Sequence, residues 1–332
     1  MAMKWIEGFE LAGGSDYLQR RYATALSSAT STPGRLHGRY GRGTLTTPSL
    51  GLTGTWIIGF GIFVPSAPDP DENYVALFRA GKEQLRLRVN ASRYLELVRG
   101  VTTVETGVTK LALETWVYIE LKVLVKGGAT GTYEVRINQV TEMSDTGVQT
   151  GFTTNDDADA VKLVAGSSSR LDDIYVCDGT GSAHTDFLGE QVVEGVLPSG
   201  DGASTDWTPS TGSSHYALVD DPATGFDSAD YVSATSTGLK DYYEFGNLSF
   251  ISGNINGVAV GVMAALDAAG TRTVRARYRE SGGTEYGSAS PFTVGSTSPA
   301  EQITIFGLNP LTASAWTPSE VNAAQFGIEL VS

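Results

Sequence analysis

The sequence predicts an all-β protein made of two tandem antiparallel β-sandwich, or jelly-roll, domains. Apolar and polar residues alternate with a period of two through most of the chain. Clusters of Gly, Ser, Asn and Asp interrupt that alternation at short intervals, and no sustained helical period intervenes. Composition agrees: 40 of 332 residues are glycine and only 18% are charged, a balance that suits tight turns and pleated surfaces.

The strands follow in order. Trp56, Ile58, Phe60, Ile62 and Val64 share one face of a continuous apolar run, and Leu85, Leu87 and Val89 alternate with Arg86 and Arg88. Val117, Ile119, Leu121, Val123 and Val125 oppose Trp116, Tyr118, Glu120, Lys122 and Leu124, and Tyr133, Val135 and Ile137 oppose Glu134 and Arg136. Each pattern sets one face on a core and the other toward water or a second layer. Turn clusters at Ser66 to Asn73, Gly100, Gly127-Gly128 and Ser167 to Ser169 separate them. A turn-rich seam between Cys177 and Tyr216 contains Gln191 to Val196, read as a connecting strand. The predicted division is therefore a first domain over 1–182, a connection over 183–203 and a second domain over 204–332. In the second, Val258, Val260 and Val262 form one strand, and Val274, Ala276 and Tyr278 alternate with Arg275, Arg277 and Arg279. Thr317, Pro318 and Glu320 spell a capping box for one short helix, before a closing strand over Phe326 to Val331.

The formal charge of −14 repels phosphate backbones and argues against nucleic acid as a partner. Cys177 is the single cysteine, so no intrachain disulfide forms. Met1 to Gly14 lacks the basic-then-apolar pattern of a signal peptide, and no apolar run has the length of a membrane span. Synthesis in the cytoplasm, without membrane insertion, is the expectation.

Three segments in order resemble the concanavalin A-like jelly roll in its laminin-G-like form: Glu114 to Leu121, Gly131 to Asn138 and Leu171 to Val176. Gln139 stands where that family turns on Gly. The resemblance covers about residues 1–180 and implies that the last of these strands lies beside Trp5 to Glu10. The opening Gly8-Phe9-Glu10 strand, and in the second half Tyr216 to Asp221, Asn309-Pro310, Ala315 to Thr317 and Phe326 to Glu329, are similar to segments of tailed-bacteriophage structural proteins. That similarity implies a non-catalytic virion component, displayed on the tail as a tip, fibre or minor tail protein, and assembling with other virion proteins and with copies of itself. A capsid-surface decoration or head-fibre protein, or a carbohydrate-binding adhesin on host surface polysaccharide, is the alternative.

Catalytic motifs are missing from the linear sequence. A glycosidase needs two carboxylates flanking one bond, and no Glu-x-Asp-x-Glu run exists; the nearest analogue pairs Glu134 with Arg136. His37, His184 and His215 accompany no nucleophile elbow, and no phosphate loop, dinucleotide fingerprint or metalloprotease pair occurs. The expectation is a chain that is not an enzyme. Cys177 reads as a small buried filler.

Calcium needs several oxygens on a tight loop. Asp69, Asp71 and Asn73 have the alternate spacing of an EF-hand start, but Tyr74 stands where Gly is required. Asp156, Asp157 and Asp159, beside Asn155, form a denser acidic loop and are the candidate calcium ligands, and Asp220, Asp221, Asp227 and Asp230 form another loop. A solvated acidic turn is the plainer reading of each. Candidate aromatic platforms for a glycan, or for an interface, are Tyr17, Tyr22, Tyr40, Trp207, Tyr242 and Tyr243. Arg20, Arg21, Arg35, His37, Arg39 and Arg42 form the one basic region, able to dock an acidic neighbour or to pair locally.

Overall fold

The computed structural model describes residues 3–12, 15–221 and 227–332; Met1 and Gly14, the ends of the stretch tested for a leader, lie outside them. Two compact units, Met1–Val193 and Glu194–Ser332, are each nearly all β. Their boundary falls inside the 183–203 stretch.

In the first unit the elements are β1 (Met3–Glu7), α1 (Ser15–Arg21), β2 (Thr24–Ser31), β3 (Tyr40–Thr46), β4 (Thr55–Val64), β5 (Asn73–Arg79), β6 (Lys82–Val89), β7 (Leu95–Arg99), β8 (Thr102–Thr106), β9 (Thr115–Leu124), β10 (Gly131–Ile137), β11 (Val140–Val148), β12 (Ala160–Ala165) and β13 (Arg170–Cys177). They join in the order β11-β10-β9-β4-β13-β3-β12-β5-β6-β7-β8, with β1 on β13 and β2 on β3. Strands β13 and β3 share a single residue pair, Leu171 with Gly41, so the path separates there into two antiparallel halves.

The alternation read from the sequence sets the core. Trp56, Ile58, Phe60 and Ile62 of β4, Ile119, Leu121 and Val123 of β9, and Leu85, Leu87 and Val89 of β6 are all buried. Each such side chain contributes about 1.5–3 kcal/mol by leaving water. Strand β13 lies beside β1, with Trp5 opposite Val176 and Ile6 opposite Tyr175. Between β10 and β11 the chain turns through Asn138 and Gln139 at φ of 48° and 68°. That left-handed pair belongs to the hairpin turn of matching twist, and the Asn138 carboxamide oxygen steadies it by accepting from Tyr118 N at 2.8 Å.

One feature departs from the sequence reading. Helix α1, absent from that reading, is seven mostly polar residues, too short for a helical period to show; it is held by the wholly buried Leu18. The second faces of β4, β9 and β13 are largely buried, so of the two alternatives, water or a second layer, a covering layer is the one present.

In the second unit, β14 (Pro198–Thr205), β15 (Thr208–Pro209), β16 (Val232–Ser233), β17 (Lys240–Phe245), β18 (Val258–Ala264), β19 (Arg272–Arg279), β20 (Glu285–Gly287), β21 (Phe292–Val294), β22 (Ala300–Phe306), α2 (Pro318–Asn322) and β23 (Gln325–Leu330) follow in order. The main sheet runs β14-β17-β23-β19-β20 with β21 on β19, and β18 pairs with β22. Tyr278, Phe306, Trp316, Ala324 and Phe326 form one buried cluster; Val274, Val294 and Leu330 form another. Trp316 meets Tyr278 edge to face at 4.9 Å, and its indole N–H donates to Phe306 O at 3.0 Å. The expected capping box at Thr317 and Glu320 is present.

Gln191 to Val196 forms no ladder, which corrects the connecting strand expected there. The ladder begins instead at Pro198 and crosses the glycine-rich stretch read as a turn. Gly202 is required because a Cβ there would lie 2.6 Å from the Tyr242 carbonyl. Pairing with β17 tolerates these residues through two register shifts.

Candidate functional site

The second face of the β13-β4-β9-β10 sheet carries the densest chemistry in the first unit. Antiparallel register sets Arg136 opposite Glu120, Glu120 opposite Gly59 and Gly59 opposite Tyr175. An arginine, a carboxyl group and a phenol thus stand in one row across four strands. Gly59 makes the row possible: a Cβ there would sit 2.1 Å from the Tyr175 ring. The Tyr175 hydroxyl crosses the gap and donates to Glu120 Oε1 at 2.6 Å.

A strap over residues 184–191, outside any ladder, roofs this row. Gly189 N donates to Glu120 Oε1 at 2.9 Å, and Leu188 N to the Tyr175 oxygen at 3.1 Å. The Arg136 guanidinium lies 4.0 Å from the Phe187 ring centre, and Lys122 pairs with Asp186 at 3.0 Å. Glu120 is fully buried, and its Oε2 has no hydrogen-bond partner among the described residues. Burial raises its pKa above the ordinary carboxylate range, against the lowering effect of the Tyr175 bond.

Beside this row Arg35 stacks 5.1 Å over the Tyr118 ring centre. Its Nε donates to Asp173 Oδ2 at 2.7 Å, its backbone N to Asp172 Oδ2 at 2.6 Å, and its guanidinium also pairs with Glu190. Asp173 Oδ1 accepts from Val193 N at 2.7 Å. His37 Nδ1 lies 3.1 Å from Glu10 Oε1. Burial, with the neighbouring Asp173 carboxylate, holds Asp172 up to about 8, and burial lifts Glu10 to about 7 although His37 opposes it. These groups exchange protons near neutrality.

The open end of the same face is an aromatic strip. Phe63 pairs with Trp116 across β4 and β9, their rings 5.7 Å apart and steeply inclined. The Arg170 guanidinium is clamped between the Phe63 ring at 4.4 Å and the Tyr40 ring at 4.9 Å. Arg42 lies on the Tyr40 ring at 5.7 Å and donates to Ser167 O at 3.0 Å. Trp116, Phe63, Arg170 and Arg42 are half-exposed. Through its side chain Arg170 makes no hydrogen bond and no ion pair among the described residues.

The sequence-derived candidates lie elsewhere or play other parts. Asp156 pairs with Lys126 at 3.0 Å and accepts from Gly127 N at 3.0 Å, while Asp157 and Asp159 both turn toward Arg79. The described residues contain no group of three His, Cys, Asp or Glu placed to hold a metal, so the calcium expectation finds no donor cluster there. Of the aromatic candidates, Tyr22, Tyr40, Tyr242 and Tyr243 are buried. Trp207 packs against the Val274 cluster, Tyr17 lies 5.6 Å from Arg21, and Tyr40 alone joins the strip. The basic region pairs within the unit: Arg21 with Glu7, Arg35 with Asp173 and His37 with Glu10. In the second unit His215 Nδ1 lies 2.7 Å from Asp241 Oδ2, while Trp207 N and the Tyr243 hydroxyl also donate to Asp241. The pair braces the turn at Tyr216–Leu218 against β17. Trp116, Tyr118 and Glu120 alternate visibly in the sequence, but the roles of Phe63, Arg170, Tyr175 and Phe187 needed the fold.

No family model matches the chain, and no curated protein matches it. Among solved structures it resembles an endo-β-1,4-glucuronan lyase from the fungus Trichoderma reesei, with 12% identity over 53% of this chain and 95% of that one and a TM-score of 0.37. It resembles an alginate lyase in complex with alginate tetrasaccharide, with 9% identity over 41% and 80% and a TM-score of 0.31. A carbohydrate-binding module from Bacillus subtilis matches with 8% identity over 46% and 95% and a TM-score of 0.31. These likenesses are to all-β, jelly-roll-like domains. They correct the expectation that the chain is not an enzyme: with two lyases among the structures it resembles, the lack of a linear catalytic motif no longer separates it from enzymes. Strand register can bring side chains together without any linear motif, as it does Arg136, Glu120 and Tyr175.

Proposed function

We propose that this chain is a carbohydrate-binding β-sandwich protein, an adhesin that engages surface polysaccharide with the second face of the β13-β4-β9-β10 sheet. The observation that supports it best is the strip in which half-exposed Arg170, without an acceptor of its own among the described residues, lies between buried Tyr40 and half-exposed Phe63, beside half-exposed Trp116. Sugar rings stack their C–H faces on aromatic side chains and offer hydroxyls to fixed donors, and a guanidinium has five N–H groups to give. A core needs neither a half-exposed tryptophan nor a half-exposed arginine set between two rings.

A glycan array followed by calorimetric titration of the full chain tests the reading. Binding that weakens in Trp116→Ala and Arg170→Ala supports it, and an array without a hit rejects it. The setting we propose is a tailed-phage particle, on the resemblance of Gly8-Phe9-Glu10 and the second half to such proteins, with other virion proteins and further copies of the chain as partners. Recovery from purified particles at a fixed copy number is the expected result, and absence from them rejects that setting.

A further inference from the structure

We infer that the saccharide taken by this face is acidic, recognised through its carboxylates, and that the strap over residues 184–191 is an internal competitor for the same cations. The inference rests on the saccharide reading and names the ligand class. Along the face lie Arg42, Arg170, Lys122 and Arg136, the last also paired with Glu134 at 2.7 Å, while the Arg35 side chain is buried against Asp173. The strap brings two exposed carboxylates to this row: Asp186 meets Lys122 at 3.0 Å with 72% of its side chain in solvent, and Glu190 meets Arg35 with 41% in solvent. Its aromatic residue, Phe187, lies on Arg136. Two acids and a ring, spaced along an extended segment, reproduce the chemistry of a polymer that alternates carboxylates with stackable rings.

Arg170 extends the line beyond the strap. Its charge has no carboxylate opposite it among the described residues, although the chain carries 37 acids against 23 bases. A neutral sugar over that strip would strip water from the guanidinium and return no charge. A carboxylate returns both charge and a planar pair of acceptors. Surface pairs such as Asp186 with Lys122 hold weakly, so an incoming uronate exchanges for the Asp186 carboxylate at small cost, while Gly189 N and Leu188 N keep the strap anchored on Glu120 and Tyr175.

The test titrates the full chain with a tetrameric oligouronate and with a neutral oligosaccharide of equal length. The acidic ligand is expected to bind at least about tenfold more tightly, the factor of one charge-assisted contact. Arg170→Gln should erase the preference while Arg170→Lys keeps part of it, with circular dichroism confirming the fold of both. Asp186→Asn with Glu190→Gln should tighten acidic binding several-fold and leave neutral binding unchanged. Equal binding of neutral and acidic ligands overturns the inference but leaves the saccharide reading standing. Unchanged affinity in the strap variant overturns the competitor role. No binding of either ligand, by wild type or strap variant, removes the saccharide reading itself.

Discussion

Removing one oxygen from the row, in Tyr175→Phe, probes whether the second sheet face is a working polar assembly or inert filling. The hydroxyl makes two bonds, donating to Glu120 Oε1 at 2.6 Å and accepting from Leu188 N at 3.1 Å. Phenylalanine keeps the ring and its packing, so no cavity term enters. The variant leaves Glu120 Oε1 with Gly189 N alone, while Oε2 already lacks a partner, and it deprives Leu188 N of its acceptor. A buried polar group left short of a partner costs about 1–3 kcal/mol. Glu120 is wholly buried whereas Leu188 is partly exposed, which places the loss at about 2–3 kcal/mol. Urea denaturation should show a lower midpoint with an unchanged slope. Amide exchange at Leu188 and Gly189 should accelerate by more than at β4, because the strap loses an anchor while the core does not. A variant as stable as wild type, with strap exchange unaltered, would refute the argument.

Other outcomes follow from the same geometry. Gly59→Ala forces a Cβ to within 2.1 Å of the Tyr175 ring and should destabilise by about 1–3 kcal/mol through overpacking, read by the same denaturation. Glu10 and Asp172 are raised to about 7 and about 8 from about 4 in an unfolded chain. The folded state therefore binds protons more tightly, and this contribution is complete below about pH 4 and lost as pH rises through 7 to 8; denaturation midpoints should fall from pH 5 to pH 9, with a shallower fall in Asp172→Asn. Trp316→Ala empties the buried aromatic cluster of the second unit and orphans Phe306 O, so a loss of about 3–5 kcal/mol is expected by thermal melting. Thr317→Ala removes the N-cap of α2 and should cost about 1 kcal/mol.

How far the sequence revealed this molecule depended on whether a feature was local. Alternation at Trp56 to Val64 and Val117 to Val125 marked the core face because side chains two apart must share a side. The capping box at Thr317 and Glu320 was legible because its bonds close within one turn. The neighbourhood of β1 and β13 came from resemblance, and the register confirms it. Helix α1 escaped because seven residues hold too little periodicity, and Pro198–Thr205 because glycines that suit a turn also suit a strand pressed against Tyr242. The face escaped for a different reason. Tyr118, Glu120 and Arg136 were read as facing water or a second layer, and nothing in a strand reports which, or that a segment more than 50 residues downstream will roof it.

The charges buried beneath that roof make its bland interpretation costly. Arg35 with Asp173, and Glu120 with Tyr175, are out of water, and such groups replaced by well-packed apolar residues often leave stability equal or improved. Stability alone therefore gives little reason for a sandwich to carry them on a face it could have filled with valine and leucine. A brace also needs no strap whose carboxylates stay partly in solvent while reaching for lysine and arginine, nor an arginine pinned between two rings with no acceptor among the described residues. What these features share is fixed donors and rings held at defined positions along one sheet face. Fixing them before a ligand arrives reduces the ordering cost of binding it.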